Sequence, residues 1–362
     1  MRIAQIAPLY ESIPPKLYGG TERVVSYLTE ALVKLGHEVT LFASGDSQTR
    51  ARLRPGTPRA IRLDPQAWDP FAPHVLMLQQ VCNERDNFDV LHFHIDYLHF
   101  PLSRAMGWPG LTTLHGRLDL PELVPLYREF TDMPLVSISN AQRTPLSWAN
   151  WQATIYHGLP LDLYTPQAER GHYLAFLGRI SPEKGIDRAI EIAQRAGVPL
   201  KIAAKVDRVD RDYFEEKIKP LLAQPGIEYI GELGERDKDR FLGQALALLF
   251  PIDWPEPFGL AVIEANACGT PVVAFRRGSI PEIIENGVSG FVVDNAEEAV
   301  VAVEQASSLD RRACRTVFEQ RFAVERMARE YVAVYERLLT PETQSKLAPV
   351  PWRTTNPQQP MA

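Results

Sequence analysis

Apolar residues follow two alternating rhythms along this chain. Ile3 to Ala7 is a short apolar run closed by Pro8, which reads as a strand. From Thr21 to Leu35 the residues Val24, Leu28, Leu32 and Leu35 recur at helical spacing, and Gly36 stands where a helix stop is expected. Glu38 to Ala43 then reads as a second strand. Strand, helix and strand make a βαβ unit, which implies a parallel sheet with a right-handed crossover. The loop from Pro8 to Gly20, with Pro14, Pro15, Gly19 and Gly20, is longer than such connections usually are, a mark of function.

The same rhythm restarts near residue 172. Tyr173–Gly178 is a strand, and Ile186, Ala189, Ile190 and Ala193 form a helical stripe closed by Gly197. Leu200–Ala204 is the next strand, followed by a helix near 211–223, strand Ile227–Ile230, a helix near 235–243, strand Ala245–Phe250, a helix near 259–267 and strand Pro271–Phe275. Alternation in both halves predicts two α/β domains, over 1–165 and 172–320, with Leu161–Arg170 as the linker. An amphipathic helical pattern covers 311–339, and a Pro-rich polar tail over 340–362 is expected to be flexible.

Composition narrows the class. The chain has 362 residues, 45% hydrophobic and 23% charged, the balance of a globular protein. Its formal net charge of −6 supplies no overall field toward nucleic acid. No apolar run is long enough to span a membrane. The first residues lack the apolar core of a secretory leader, and Cys82, Cys268 and Cys314 are too far apart to suggest a disulfide framework or metal pair. A cytoplasmic setting is therefore expected.

Three segments carry chemistry. In the first, Glu256-Pro257-Phe258-Gly259-Leu260 runs from a strand into a helix bearing Glu264. With the helix starting near Phe258, Glu264 lies ~9 Å along it, too far for the two acids to share one metal but suited to two parts of one long ligand. The helix start presents free N–H groups and a positive dipole end, suited to a diphosphate. In the second, Gly178-Arg179…Lys184-Gly185, two cations between a strand and a helix can neutralise a diphosphate leaving group. In the third, Gly19-Gly20-Thr21-Glu22-Arg23, a Gly-Gly turn before a helix can bring backbone N–H groups to a phosphate.

Together these segments resemble the retaining GT-B glycosyltransferases of family 4, also called glycosyl transferases group 1. The family's E-x7-E pattern is matched by Glu256…Glu264, its G-R-x-x-x-x-K-G by residues 178–185, and its G-G-x-E-R loop by residues 19–23. Val136–Asn140 and Ile155–Asp162 are similar to its serine-containing strand end and the turn before its linker, and the likeness runs in order from residue 1 to about 335.

The resemblance implies two Rossmann-like domains facing each other across a cleft, acceptor domain first and nucleotide-sugar domain second. A C-terminal helix over 321–339 would pack back on the first domain. It further implies that Glu264 holds the ribose hydroxyls of the nucleotide and that Arg179 and Lys184 bind its diphosphate. Glu256 and His115 would lie at the donor sugar, the backbone at Phe258, Gly259 and Leu260 would contact sugar or phosphate, and Gly19 and Gly20 would approach from the other domain. The implied reaction moves a hexosyl group, with no metal or cofactor, from a UDP- or GDP-hexose to a carbohydrate or lipid-linked acceptor. A nucleotide-sugar epimerase or sugar phosphorylase of the same fold is the alternative. Two departures stand out: His157 replaces the family's usual Asn, and Lys205 replaces a glycine-rich turn near the nucleotide.

Other signals read more blandly. His92, His94 and His99 with Asp96 form a cluster better suited to lining the acceptor cleft than to holding zinc. Asp210-Arg211-Asp212 and Asp237-Lys238-Asp239 read as solvated surface. Arg50, Arg52, Arg54, Arg59 and Arg62 read as a solvated loop or, more sharply, as a patch for an anionic acceptor or the inner membrane face. Motifs for a dinucleotide oxidoreductase, a P-loop nucleotidase or a serine hydrolase are missing.

Overall fold

The computed structural model describes residues 1–340 apart from Tyr18 and Gln66. The tail expected over 340–362 lies, from residue 341 onward, outside the described residues. β1 (Arg2–Ile6), β2 (Glu38–Ser44), β3 (Arg52–Thr57), β4 (Val90–Phe93), β5 (Gly110–Thr113), β6 (Leu135–Ser137) and β7 (Trp151–Thr154) form one sheet in the order β3-β2-β1-β4-β5-β6-β7. β8 (Tyr173–Arg179), β9 (Leu200–Lys205), β10 (Ile227–Gly231), β11 (Ala245–Phe250), β12 (Val272–Phe275) and β13 (Gly290–Val293) form a second, ordered β10-β9-β8-β11-β12-β13. The strand pairs β1–β2, β1–β4, β8–β9 and β8–β11 are parallel.

In both sheets the strand order reverses beside the first strand, at β1/β4 and at β8/β11. A reversal sends neighbouring loops to opposite faces and opens a crevice at the carboxyl ends of the strands. The loops after β1, β4, β8 and β11 therefore border the same cleft.

The Gly20–Lys34 helix buries Val24, Leu28 and Leu32 of the expected stripe, with Val25 beside them, while Leu35 at its end is exposed. The 311–339 pattern is two helices, Arg311–Arg321 and Val324–Leu338, rather than one. They part at Phe322 and Ala323 because the extended backbone there pairs with Leu159: Leu159 N donates to Phe322 O at 2.9 Å, and Val324 N donates to Leu159 O at 2.9 Å. Gly158 permits this crossing, since a Cβ there would lie 2.7 Å from Ala323 O. Beyond it, Val324, Met327, Tyr331, Val334 and Tyr335 pack with Ile3, Val90, Leu111 and Val136 of the first sheet.

Two other expectations change. The helix near 211–223 is interrupted by a wider turn over Phe214–Ile218. The arginine stretch is not a loop, since β3 occupies much of it at the edge of the first sheet. Arg50 pairs with Glu30, Arg54 with Glu84, Arg59 with Asp64 and Arg62 with Glu11, so most of its charge is met locally. The linker is docked on the second half: Tyr164 is buried with its hydroxyl on Glu235, and Gln167 N donates to Cys268 O at 3.0 Å.

Candidate active site

A cleft of about 670 Å³ lies between the two sheets. Gly19, Gly20, His115, Arg179, Lys184, Lys205, Glu256, Phe258, Gly259, Leu260 and Glu264 all line it. A Cβ at Gly20 would lie 3.4 Å from Leu260 Cδ1, so the loops of the two halves meet there in ordinary contact.

The switch point of the second sheet brings the cations to the helix start. β8 carries Arg179 at its end, and the short turn Pro182–Lys184 follows. From the neighbouring β11 the chain passes Trp254 and Glu256 to Gly259, whose φ of 89° favours glycine, and the helix runs over Leu260–Ala267. It thus begins two residues later than Phe258. The Phe258 ring is buried against His157 (centroids 4.8 Å apart) and Phe322 (6.1 Å), which pins the turn before the helix and leaves its backbone at the cleft.

Each cation is seated among acids. Lys184 Nζ donates to Glu256 Oε2 at 2.5 Å and sits 4.7 Å from the centre of the Trp254 ring, whose Nε1 donates to the same oxygen at 2.9 Å. Arg179 donates to Glu183 at 2.6 Å, and Asp207 and Asp210 each stand 3.6 Å away. Asp210 is therefore part of this ionic cluster, not free surface. Lys205 pairs with Asp207 at 3.0 Å.

The partner of Glu264 was not legible as a site residue. Lys238, in the Asp-Lys-Asp string, turns into the cleft and donates to Glu264 Oε1 at 2.8 Å. It sits four residues before buried Leu242 on the Glu235–Gly243 helix, and a lysine on that buried face was the available signal. Burial pushes the Glu264 carboxyl up, but Lys238 and Arg23 beside it outweigh burial and hold it below its ordinary range. Burial lowers the Lys238 ammonium, with Glu264 opposing. Arg23, from the first half, forms an ion pair with Glu235 of the second.

The histidines do not converge on one point. His92 lies 2.7 Å from Thr113 Oγ1 and 2.7 Å from Tyr335 Oη, while His99 bonds Ser103 and Thr112. Of the predicted cluster, His94 and Asp96 reach the cleft, where His74, His115 and His157 also lie. His94 Nδ1 lies 2.9 Å from His115 Nε2, and the rings of His115 and His157 stack 5.4 Å apart.

Burial lowers His115 to about 3 and takes His92, His94, His99 and His157 well below the ordinary histidine value. These bases are neutral when folded, whereas the unfolded chain takes up protons below about pH 6.5. Their stabilisation is complete above that pH and is lost as pH falls toward the folded values, at up to ~1.4 kcal/mol per histidine per unit. The urea midpoint is expected to drop steeply between pH 7 and pH 5, and a flat profile would contradict neutral burial.

Two parallel-sheet, Rossmann-like halves enclosing a cleft of cations and a helix start define a glycosyltransferase of the GT-B fold. Residues 165–319 match the family model of Glycosyl transferases group 1, and residues 18–156 match that of Glycosyltransferase Family 4. The chain belongs to this family 4-like group of glycosyltransferases, and it is an enzyme.

It is 24% identical to the N-acetyl-alpha-D-glucosaminyl L-malate synthase of Bacillus anthracis, over 91% of this chain and 97% of that one. It is 32% identical to the D-inositol 3-phosphate glycosyltransferase of Mycolicibacterium smegmatis, over 49% of this chain and 43% of that one. Among solved structures, AviGT4, a glycosyltransferase involved in avilamycin A biosynthesis, matches with TM-score 0.72 and 25% identity, over 94% and 98% of the two chains. Anabaena HepE in complex with UDP and glucose matches with TM-score 0.73 and 19% identity, over 93% and 100%.

Proposed function

We propose that the protein moves a hexosyl group from a nucleoside diphosphate hexose, UDP- or GDP-linked, to the hydroxyl of a carbohydrate or lipid-linked acceptor, with retention at the anomeric carbon. The observation that carries this is the convergence of Arg179, Lys184, Glu264 and the start of the Leu260–Ala267 helix on one cleft.

In this reading Glu264, held ionised by Lys238, accepts hydrogen bonds from the ribose hydroxyls. The diphosphate lies at the helix start, where free N–H groups and the dipole favour negative charge. Arg179 and Lys184 stabilise the charge that builds on the leaving phosphate, the role a metal ion fills elsewhere. Glu256 is engaged by Lys184 and Trp254, which suits a carboxylate that holds sugar hydroxyls rather than one that attacks carbon. The acceptor oxygen then bonds to the anomeric carbon on the face the phosphate leaves. The departing phosphate oxygen takes the acceptor's proton, so no other cofactor is required. Closure of the two halves excludes water.

The fold shared with HepE, which was solved with UDP and glucose, supports a nucleotide-sugar donor. Among the described residues no helix is long and apolar enough to cross a membrane. The test is a thermal-shift series with UDP-, GDP- and ADP-hexoses, followed by product analysis. One donor at ~100 times its Kd is expected to add about 2.7 kcal/mol of stability. No shift with any of them would remove the donor assignment, and turnover of the donor without any acceptor would point to an epimerase.

A further inference from the structure

Behind His115 runs a continuous buried chain of hydrogen bonds. It begins at Gln5, a polar residue inside the apolar run of β1 and fully buried. Gln5 Oε1 lies 2.8 Å from His94 Nε2, while Gln5 Nε2 lies 3.2 Å from Tyr335 Oη and 3.4 Å from His92 Nδ1. His94 Nδ1 continues to His115 Nε2 at 2.9 Å. On the other side Tyr335 Oη reaches His92 Nδ1 at 2.7 Å, His92 Nε2 reaches Thr113 Oγ1 at 2.7 Å, and Thr113 meets Tyr331 Oη at 2.9 Å.

Counting donors and acceptors gives this chain one direction. An amide nitrogen carries two donors and the amide oxygen none. With its nitrogen toward Tyr335 and His92, Gln5 donates to the Tyr335 hydroxyl, its second N–H shares the His92 Nδ1 lone pair, and its oxygen accepts from His94. Turned over, the nitrogen would meet His94 alone, and one buried N–H would go unpaired at a cost of ~1–3 kcal/mol.

In the favoured orientation His94 donates from Nε2, so its Nδ1 can only accept. His115 must then donate from Nε2 and carry no proton on Nδ1. The far end agrees: His115 Nδ1 is buried with no hydrogen-bond partner among the described residues. A bare acceptor is tolerated there better than an orphaned N–H. Burial keeps both rings neutral.

We propose that Gln5 and His94 are positioning residues that lock His115 as its Nε2–H tautomer, leaving the Nδ1 lone pair as its one remaining capacity toward a ligand hydroxyl. His115 then has no N–H free to deliver a proton to the phosphate leaving the donor sugar. The tautomer stands on the chain itself, and its bearing on the sugar rests on the donor-site reading above. Because Tyr335 belongs to the final helix, the chain ties the cleft to that helix as well as to the sheet.

The experiment is long-range proton–nitrogen NMR on the full chain with 15N-labelled histidines at pH 7, with His115→Gln used to assign the signal. The expected result is a protonated Nε2 and an unprotonated Nδ1 for His115. In Gln5→Leu that single tautomer should give way to a mixture. In Gln5→Glu, which retains an acceptor for His94, it should persist. UDP affinity should match wild type in both variants, while kcat falls about tenfold to a hundredfold in Gln5→Leu and recovers in Gln5→Glu.

A proton on His115 Nδ1 in the wild type overturns the proposal, as does an unchanged tautomer in folded Gln5→Leu. If that variant does not fold, the wild-type spectrum decides alone. The spectrum needs no turnover, so a chain showing this tautomer but transferring no sugar keeps the assignment and overturns the proposed reaction instead.

Discussion

Lys184→Ala is expected to lower kcat about 10²–10³-fold while weakening UDP binding far less. Lys184 stands at the crossing of the loops after β8 and β11, its ammonium held by Glu256 and the face of Trp254. That seat fixes the cation in advance, as stabilising charge on a departing phosphate in the proposed reaction would require. In the proposed reaction Arg179 and the helix start also hold the ground-state diphosphate, which is why affinity is expected to suffer less than rate. Single-turnover rates with the best donor, alongside UDP titration, separate the two effects. Full activity in Lys184→Ala would remove the leaving-group role.

Glu264→Ala is expected to weaken UDP binding roughly tenfold to a hundredfold, the loss of a charge-assisted hydrogen bond of ~1.5–3 kcal/mol. The same change strands Lys238 as a buried, unpaired cation, which costs about 3–5 kcal/mol of stability. The double variant Glu264→Ala/Lys238→Met removes both charges. It should recover most of the stability but none of the UDP affinity, and restored affinity would show that Glu264 is structural only. The Glu264 carboxyl is held below its ordinary range, so its contribution is present above the unfolded value of about 4.3 and lost as pH falls through the lower folded value. That window overlaps the lower end of the histidine loss, which begins near pH 6.5, so a pH series of Glu264→Ala/Lys238→Met beside wild type is what separates the two.

Most of the site was readable because its residues lie in short segments with fixed spacing. The residues 178–185, 256–264 and 19–23 each span one strand-to-helix junction, and their spacing matches the family's pattern. Lys238 was hidden because a charged string on a helix reads as solvent-facing until its neighbours are known. Gln5 was hidden because nothing local tells whether a lone amide in an apolar strand has partners. The ion pairs of the arginine stretch were hidden for the same reason: its acidic partners Glu11, Glu30 and Glu84 come from elsewhere in the chain.

The order of apolar stripes by itself determined two parallel α/β halves, since burying a period of two against a period of 3.6 leaves few other layered solutions. It also determined where the strand-to-helix loops proposed to bind an anion fall, because free N–H groups at a helix start need only local geometry. Tertiary structure alone decided which charges face one another. Strand order brought the loops after β8 and β11 side by side, and the return of the Val324–Leu338 helix closed the histidine chain. Those contacts join residues far apart along the chain, and their energies depend on burial and partner geometry that no local spacing encodes.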